Sequence, residues 1–374
     1  MENRDAESKG GCRRLVIDGH CDAPYRLYRK GLSFSDRDPT AQIDLESMKE
    51  GGIGASFFAA YVPAHWVEYG AADFADRLID IIERECDEHD ELHLTKSSDE
   101  IEQICEEGRI SILIGIEGGH AIEDSLETLE RFYERGVRYL TLTHVNHNNW
   151  ADTSSKPPLH GGLTRFGRRV VERMNEIGMF VDVSHVSDET FYDALESSSA
   201  PVIASHSSCR AIANHPRNLT DHMIRDLSEA GGLCMINFFS GFVVDDAAQR
   251  LRDLEPGSLK NLELHDGKPD DEAYWNDFVR RFDQLRMPKG TLQDVGDHFV
   301  HAAYVGGVDV VGVGTDLDGV PALPEGIQTA AEMPRLVEHL GERGFSDEEI
   351  DRILGGNFLR VMKEMERSRK RGIS

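Results

Sequence analysis

Short apolar runs recur along the whole chain, and they limit the folds it can adopt more than any other feature. Most are continuous stretches of Val, Ile and Leu that do not alternate with polar residues. Such strands are buried on both faces, as in parallel sheets that are covered by helices. The eight runs span residues 15–18, 54–62, 110–116, 139–143, 179–183, 201–204, 233–237 and 308–313.

Helical patterns fill the intervals between most of these runs. Residues 126–135 place three apolar side chains on one face, and residues 166–177 and 187–197 show comparable helical signals. Eight strands that alternate with helices predict an α/β fold of the TIM barrel, or (β/α)₈, type. A doubly wound open sheet is the main alternative on the pattern alone.

Two regions fall outside this alternation. Residues 240–286, after the seventh strand, are charged and weakly periodic, which predicts a helical insertion lying partly over the C-terminal end of the barrel. After the eighth strand we expect two helices, and Ser346 with Glu349 predicts a capping box at the start of the second. Because no repeat or flexible linker is visible, we expect one domain over residues 1–374, with the barrel at about 15–366.

Ionisable side chains directly follow six of the eight runs. In a TIM barrel the C-terminal ends of the strands meet at one face, where functional groups gather. A single His is more often structural than functional, but an ordered set at strand ends reverses that expectation. The residues at these ends are His20, Asp22, Glu117, His144, His185, His206, Asp316 and Asp318.

This set predicts a binuclear metal centre, because zinc takes imidazole nitrogen and carboxylate oxygen. His20 and Asp22 are two residues apart, so in an extended segment both point the same way and can reach one ion. His185 and His206, on adjacent strands, can hold a second ion. Two cations this close need a shared anion, and Glu117 is the best candidate for the bridge. Such a centre activates a bridging water to hydroxide and polarises a carbonyl.

Two further strand-end residues are candidates for catalysis. Asp316 follows the eighth strand, where it can reach the bridging water, and we assign it as general base and then as acid to the leaving group. Asp318 is the alternative, although we favour a structural or supporting role for it. His144 has no place among the metal ligands, and we expect it to hydrogen-bond a developing oxyanion. A core histidine is the alternative for His144.

The charge balance excludes several classes of partner. With 68 acidic and 41 basic residues, the formal net charge is -27, and such a surface repels nucleic acid and anionic lipid. No apolar run approaches the roughly 20 residues of a membrane span. The start of the sequence lacks a signal-peptide core, and the six cysteines include no CxxC pair. We therefore expect reduced thiols and a cytoplasmic protein without nucleic-acid or membrane partners.

Seven stretches, in order from about residue 15 to 365, carry a resemblance to a known family. They are DGHCD, LIGIEGGHAI, GVRYLTLTHVNHNNWAD, GLTRFGRRVVERMNEIGMFVDVSHVS, APVIASHSS, GTDLDGVP and GGNFLRV. The chain resembles the membrane (renal-type) dipeptidases, the zinc dipeptidases of metallopeptidase family M19, and looks most like their bacterial, cytoplasmic branch. The resemblance implies an amidohydrolase-like barrel that holds two Zn²⁺ per chain. It also implies hydrolysis of dipeptides, both L-Xaa-L-Xaa and L-Xaa-D-Xaa.

The resemblance also implies roles for individual residues. It implies that His20, Asp22 and Glu117 hold the first zinc, with Glu117 as the bridge, and that His185 and His206 hold the second.

The remaining roles concern the substrate. The resemblance implies that His144 contacts the scissile carbonyl and that Asp316 is the catalytic aspartate. It further implies that Arg217, in ANHPRNLTD, holds the substrate carboxylate, for which a guanidinium fork is suited. A homodimer is the default expectation for such an enzyme.

Two other functions stay open on the sequence. One is a different binuclear metal hydrolase on the same barrel, such as a lactonase, phosphotriesterase or cyclic amidase, since fold does not fix function. The other is a non-catalytic, metal-stabilised binding protein. Asp316 and His144 argue against the second alternative, because a purely structural metal site needs neither.

Overall fold

The computed structural model describes residues 14–252, 264–265 and 268–372. Strands within these ranges are β1 (Val16–Cys21), β2 (Ile53–Tyr61), β3 (Leu92–Leu94), β4 (Ile110–Glu117), β5 (Val137–Thr141), β6 (Phe180–Asp182), β7 (Ile203–Ala204), β8 (Leu233–Ile236), β9 (Leu264–His265), β10 (Lys268–Pro269) and β11 (Val311–Val313).

The α-helices that the structure describes surround the larger sheet. They are α1 (Ala23–Lys30), α2 (Leu45–Gly51), α3 (Ala71–Glu88), α4 (Ser98–Glu106), α5 (Leu126–Glu134), α6 (Arg165–Ile177), α7 (Asp188–Ser197), α8 (Asp221–Glu229), α9 (Ser240–Val243), α10 (Asp245–Arg252), α11 (Asp271–Gln284), α12 (Leu292–Gly306), α13 (Met333–Glu342), α14 (Asp347–Asp351) and α15 (Asn357–Gly372). None of these helices is both long and apolar enough to cross a membrane.

Eight parallel strands close into a barrel. The ring runs β1-β2-β4-β5-β6-β7-β8-β11 and returns to β1, with β2 paired to β4 across the position of β3 in the chain. Each of the eight apolar runs supplies one barrel strand, so the predicted TIM barrel is confirmed and the open-sheet alternative is wrong. Strand β3, which the sequence did not predict, lies outside the ring and pairs with the first residues of β4.

Apolar burial explains why the predicted elements form. Barrel strands β1 and β4 are buried at every residue, as their unalternating sequences require. Helices α5, α6 and α7 coincide with the three predicted helical segments, and Ser187 caps α7 by accepting from the Thr190 N–H. The predicted capping box of Ser346 and Glu349 begins α14.

The two ends of the barrel are closed differently. Helix α15 packs its apolar residues, among them Phe358 and Met362, against Ile17, Ala55 and Leu113 in the strands. At the other end lies the insertion after the seventh barrel strand, which consists of α9, α10, a β9–β10 hairpin and α11. The predicted helical insertion is therefore confirmed, while parts of it, residues 253–263 and 266–267, lie outside the described residues. The one-domain organisation stays a prediction.

Candidate metal centre and active site

The polar strand-end residues converge at the C-terminal end of the barrel. Five of them, Asp22, Glu117, His144, His185 and Asp316, line one cavity of about 210 Å³, and Arg217 from the loop between β7 and α8 lines it as well. His20 and His206 are fully buried at its base. The structure thus brings the predicted metal ligands together with His144, Asp316 and Arg217, whereas Asp318 does not line the cavity.

Glu117 lies between His20 on one side and two histidines on the other. Its Oε2 is 3.7 Å from the Nε2 of His20, while its Oε1 is 2.9 Å from the Nε2 of His185 and 3.2 Å from that of His206. The two imidazoles on the Oε1 side are 3.0 Å apart, Nε2 to Nε2. One carboxylate oxygen therefore faces each side, which is the arrangement that a bridging ligand between two cations needs.

His20 and Asp22 approach each other, although not through an extended segment. Strand β1 ends at Cys21, and Asp22 has φ -101° and ψ 23°, just before α1 begins. The His20 Nε2 nevertheless lies 3.3 Å from the Asp22 Oδ2. Burial disfavours charge on the His20 ring, but the Glu117 and Asp22 carboxylates outweigh it and raise the pKa of His20 to about 10. Positive charge is thus stabilised at this Nε2, whether a proton or a metal ion carries it.

A tyrosine inside the barrel orients His20. The Tyr139 hydroxyl on β5 lies 2.8 Å from the His20 Nδ1 and is fully buried. Gly115 on the neighbouring strand makes room for the ring, because a Cβ there would lie 2.0 Å from the Tyr139 Cζ. When Nδ1 donates to the phenol oxygen, a neutral His20 ring keeps its lone pair on Nε2, which lies toward Asp22 and Glu117.

A different pair of residues orients His206. Its Nδ1 lies 2.8 Å from the Ser205 Oγ, and that hydroxyl donates to the Asp182 Oδ2 at 2.7 Å. Asp182 also accepts from the Thr141 hydroxyl at 2.6 Å and from the Ser184 N–H at 3.1 Å. Such outer hydrogen bonds fix the tautomer of an imidazole ligand and raise its basicity.

The loop that follows β5 contains His144 and fixes the backbone of His185. His185 has φ 69°, a left-handed conformation that a non-glycine residue adopts only when its surroundings impose it. The Ser154 N–H donates to the His185 carbonyl at 2.8 Å, and the Thr153 hydroxyl contacts the carbonyls of both histidines. Asp152 stabilises the loop by accepting from the backbone N–H groups of residues 159–162. The polar WADTS segment is thus a support for the site.

The two aspartates after β11 turn in different directions. Asp316 accepts from the Asn237 Nδ2 at 2.7 Å through Oδ2, and its Oδ1 lies 4.0 Å from the His20 Nε2. Asp318 instead accepts from the Arg26 Nε at 2.7 Å and the Gln42 N–H at 2.8 Å. Both aspartates have a left-handed backbone, with φ 64° and 65°. Asp316 therefore faces the cavity, and Asp318 joins β11 to the α1 region.

Arg217 is a buried cation in the cavity wall. Its Nη1 donates to the Ser207 Oγ and its Nη2 to the His206 carbonyl, each at 2.7 Å. Its Nε has no partner among the described residues. Burial lowers the pKa of Arg217 to about 10, although Asp316 and Glu117 act in the opposite direction, so it stays protonated at neutral pH. A guanidinium with unused donors suits a ligand carboxylate.

Burial also controls the charges of the other groups. It raises the pKa of the Glu117 and Asp316 carboxyl groups, and it lowers the pKa of His144, His185 and His206 well below the usual range. The imidazoles are therefore neutral, as metal ligands must be, and the carboxylates need a nearby positive charge to ionise.

The donor set fits divalent metal ions. Within the described residues, three groups of imidazole and carboxylate atoms lie close enough together to hold an ion: His20, Asp22 and Glu117; Glu117, His144 and His185; and His20, His206 and Asp316. The Asp22 Oδ1 is buried without a hydrogen-bond partner, a costly arrangement that a cation would relieve.

Comparison with known proteins identifies the family. The model of the membrane dipeptidases, peptidase family M19, matches residues 12–372. The chain belongs to this family. The family predicted from the sequence is thus confirmed. Members of a metallopeptidase family act with bound metal ions, in agreement with the donor set above.

Curated relatives and solved structures agree with this assignment. Rat dipeptidase 3 is 33% identical over 369 residues, which are 96% of this chain and 66% of the rat protein. This chain thus spans slightly less than two thirds of that relative. Dipeptidase verJ of Clonostachys rogersoniana is 35% identical over 368 residues, 94% of this chain and 84% of that protein. The probable dipeptidase PvdM from Pseudomonas aeruginosa superposes with a TM-score of 0.81 at 25% identity, covering 95% of this chain and 96% of that one.

Some residues that shape the site were not found from the sequence. Asn237 ends the seventh apolar run, so the strand-end rule could have found it. Tyr139 is the first residue of the fourth apolar run, and the sequence gave no sign of its role, because its hydroxyl acts inside the barrel. Tyr61 and Phe242, which line the cavity, carry no sequence pattern that distinguishes them from core aromatics.

Proposed function

We propose that this protein is a zinc-dependent dipeptidase with two Zn²⁺ per chain. One ion would be held by His20 and Asp22, and the other by His185 and His206. Glu117 would bind both ions. The observation that carries the proposal is the division of the Glu117 oxygens, one facing His20 and the other facing His185 and His206 at 2.9 and 3.2 Å. Family membership supports metal-dependent hydrolysis of dipeptides.

Arg217 is proposed to bind the substrate's terminal carboxylate. Two of its nitrogens are held by Ser207 and the His206 carbonyl, so the guanidinium is fixed before substrate arrives. Its unpartnered Nε supports a charge-assisted hydrogen bond to a ligand. In a longer peptide an amide would take the place of the carboxylate and leave the buried cation unpaired, which explains a preference for dipeptides.

His144 and Asp316 are proposed to act on the scissile bond. Bound divalent ions polarise a carbonyl and acidify a water. His144 is neutral because burial lowers its pKa, and it can donate one N–H to the oxygen that becomes negative. Asp316 has one oxygen fixed by Asn237, which leaves Oδ1 to take a proton from the attacking water and deliver it to the leaving amine.

A substrate panel tests the proposal. The zinc-loaded protein is assayed with L-Xaa-L-Xaa and L-Xaa-D-Xaa dipeptides, dipeptide amides, a tripeptide, lactones and a phosphotriester. We expect turnover of dipeptides, with the amides and the tripeptide much poorer. Turnover confined to lactones or phosphotriesters, or metal binding without any hydrolysis, would refute the dipeptidase assignment.

The Arg217→Met variant isolates the carboxylate anchor. It should raise KM for a dipeptide while hardly changing the already poor hydrolysis of the matching dipeptide amide. The preference for the dipeptide over its amide should therefore be lost. Arg280→Met, on the exposed side of α11, is the matched control and should keep it. An unchanged preference in Arg217→Met would show that the carboxylate binds elsewhere.

A further inference from the structure

The insertion after the seventh barrel strand forms much of the cavity wall, beyond the metal centre. Its helices contribute Phe242, Leu251, Tyr274, Trp275 and Phe278 to the lining, together with Arg281, which is paired with Asp277 at 2.7 Å. Among the described residues, the acidic ones of the lining are Asp22 and Glu117 of the proposed metal centre and Asp316, and none comes from the insertion. The outer wall is therefore mainly aromatic.

Helix α11 is fixed to the barrel at its first residue. Asp271 is buried and accepts from the Tyr25 hydroxyl at 3.0 Å, the His65 Nε2 at 2.9 Å and the Trp66 Nε1 at 3.2 Å. Three donors from the barrel side satisfy one carboxylate, so the helix is held in a defined position. The side chains that α11 directs at the cavity are thus part of a preformed surface.

A second anchor fixes the same end of α11. The Arg29 Nη1 donates to the Glu272 carboxylate at 2.5 Å, and the Arg29 guanidinium lies 4.5 Å above the Trp275 ring. Tyr274, one residue earlier, is hydrogen-bonded to Tyr61 of β2. The aromatic side chains of the helix are therefore held individually as well as through the backbone.

One part of this wall adjoins Arg217. The Arg217 guanidinium lies 5.5 Å from the centre of the Phe242 ring, and Phe239 packs edge-on against Phe242 at 4.9 Å. A residue whose carboxylate is bound by Arg217 has its side chain only two bonds from that carboxylate. With its carboxylate on Arg217, as proposed above, a dipeptide would place its C-terminal side chain toward Phe242 and Phe239.

Another part adjoins His144. Tyr61 packs edge-on against the His144 ring at 4.7 Å, and Tyr274 lies beside Tyr61. His144 is proposed to contact the scissile carbonyl, and in a dipeptide the N-terminal residue supplies that carbonyl. The side chain of that residue would then face Tyr61 and Tyr274.

We propose that this aromatic wall selects dipeptides with large apolar side chains, aromatic ones above all, with Phe242 reading the C-terminal side chain and Tyr274 the N-terminal one. The inference rests on the proposed dipeptidase function and adds the substrate class. An aromatic side chain leaves water and packs against rings on this wall, whereas glycine gains nothing there. One such contact changes kcat/KM by roughly tenfold or more.

Four dipeptides and three variants test it. The native protein should hydrolyse Phe-Phe with the highest kcat/KM, Gly-Phe and Phe-Gly at intermediate values, and Gly-Gly at the lowest. Phe242→Ala should lower the ratio of Gly-Phe to Phe-Gly by about tenfold, and Tyr274→Ala should raise it by a similar factor. Asn276→Ala, on the exposed side of α11, should leave the ratio unchanged. Metal content and thermal unfolding verify that each variant is folded, with Phe242→Leu replacing the alanine variant if that one is not.

The outcomes separate the two proposals. No hydrolysis of any of the four dipeptides would overturn the proposed function and this inference with it. Hydrolysis in which Gly-Gly equals Phe-Phe would overturn the inference alone. A ratio that stays constant both in Phe242→Ala, or its leucine replacement, and in Tyr274→Ala would also overturn it, because the preference would then arise elsewhere in the cavity.

Discussion

A single methyl group at residue 319 tests the geometry of the proposed centre. A Cβ on Gly319 would lie 2.0 Å from the Asp22 Oδ2 and 2.6 Å from the Asp316 Oδ1, whereas real Cβ contacts are essentially never under 3.0 Å. In Gly319→Ala the Asp22 oxygen must therefore move by about 1.0 Å, the difference between 3.0 and 2.0 Å. The backbone of Gly319 is not left-handed, so alanine is strained there only by these two carboxylates.

We expect Gly319→Ala to impair catalysis and metal binding more than folding. A misplacement of about 1 Å in a catalytic group costs roughly 100-fold in rate, which corresponds to ~2.7 kcal/mol of activation free energy. We therefore expect kcat/KM of Gly319→Ala for a dipeptide to fall by about 100-fold. The metal bound after dialysis should fall as well, since Asp22 is displaced from the position facing His20.

The control is another glycine replaced in the same way. Gly341 lies in α13, and the nearest atom to its Cβ would be the Ile350 Cδ1 at 3.9 Å. Gly341→Ala should keep kcat/KM and metal content, and should raise the free energy of unfolding by about 0.5–1 kcal/mol. Metal analysis, steady-state kinetics and thermal unfolding are measured on both variants. Native metal content and native kcat/KM in Gly319→Ala would refute the reasoning.

Two further substitutions separate proton transfer from metal binding. Asp316→Asn should keep its metal, measured by elemental analysis, but lose roughly 10²–10⁴-fold in kcat because no carboxylate remains to move the proton; full turnover would refute the assignment. Tyr139→Phe keeps the ring against Phe57 but removes the hydroxyl 2.8 Å from the His20 Nδ1. Its metal affinity, measured by competition with a chelator, should fall about 10–100-fold, and native affinity would show that the hydroxyl is dispensable.

The barrel could be predicted because its strands are buried on both faces. Continuous apolar runs such as 110–116 are typical of strands that are covered on both faces. In a barrel, the polar residues that follow these strands then meet at its C-terminal end. The three-residue β3 could not be predicted, since it is short and pairs with β4 outside the ring. The hairpin of β9 and β10 was not predicted either, because each of its strands has only 2 residues.

The clustering of these side chains could be predicted from the sequence, but their detailed geometry could not. His20 and Asp22 were expected to align through an extended strand, yet Asp22 has left β1 and still meets His20 at 3.3 Å. The left-handed backbone of His185 and Asp316 has no sequence signal, because neither residue is glycine. Arg217 lies far from any strand end, so only the family resemblance pointed to it. Its partners Ser207 and the His206 carbonyl became visible in the structure alone.

The residues proposed for catalysis and those proposed for substrate selection lie on different parts of this chain. The proposed metal ligands extend from barrel strands whose positions are fixed by hydrogen bonds on both sides, whereas the aromatic wall is carried by an insertion joined to the barrel through Asp271 and Arg29. We therefore expect a change in Phe242 or Tyr274 to alter which side chain is accepted without displacing a proposed metal ligand. Arg217, the proposed carboxylate anchor, contacts the His206 carbonyl on one side and the Phe242 ring on the other. In the proposed mode of binding it would therefore couple the two regions, because it would determine which side chain of a dipeptide meets which part of the wall.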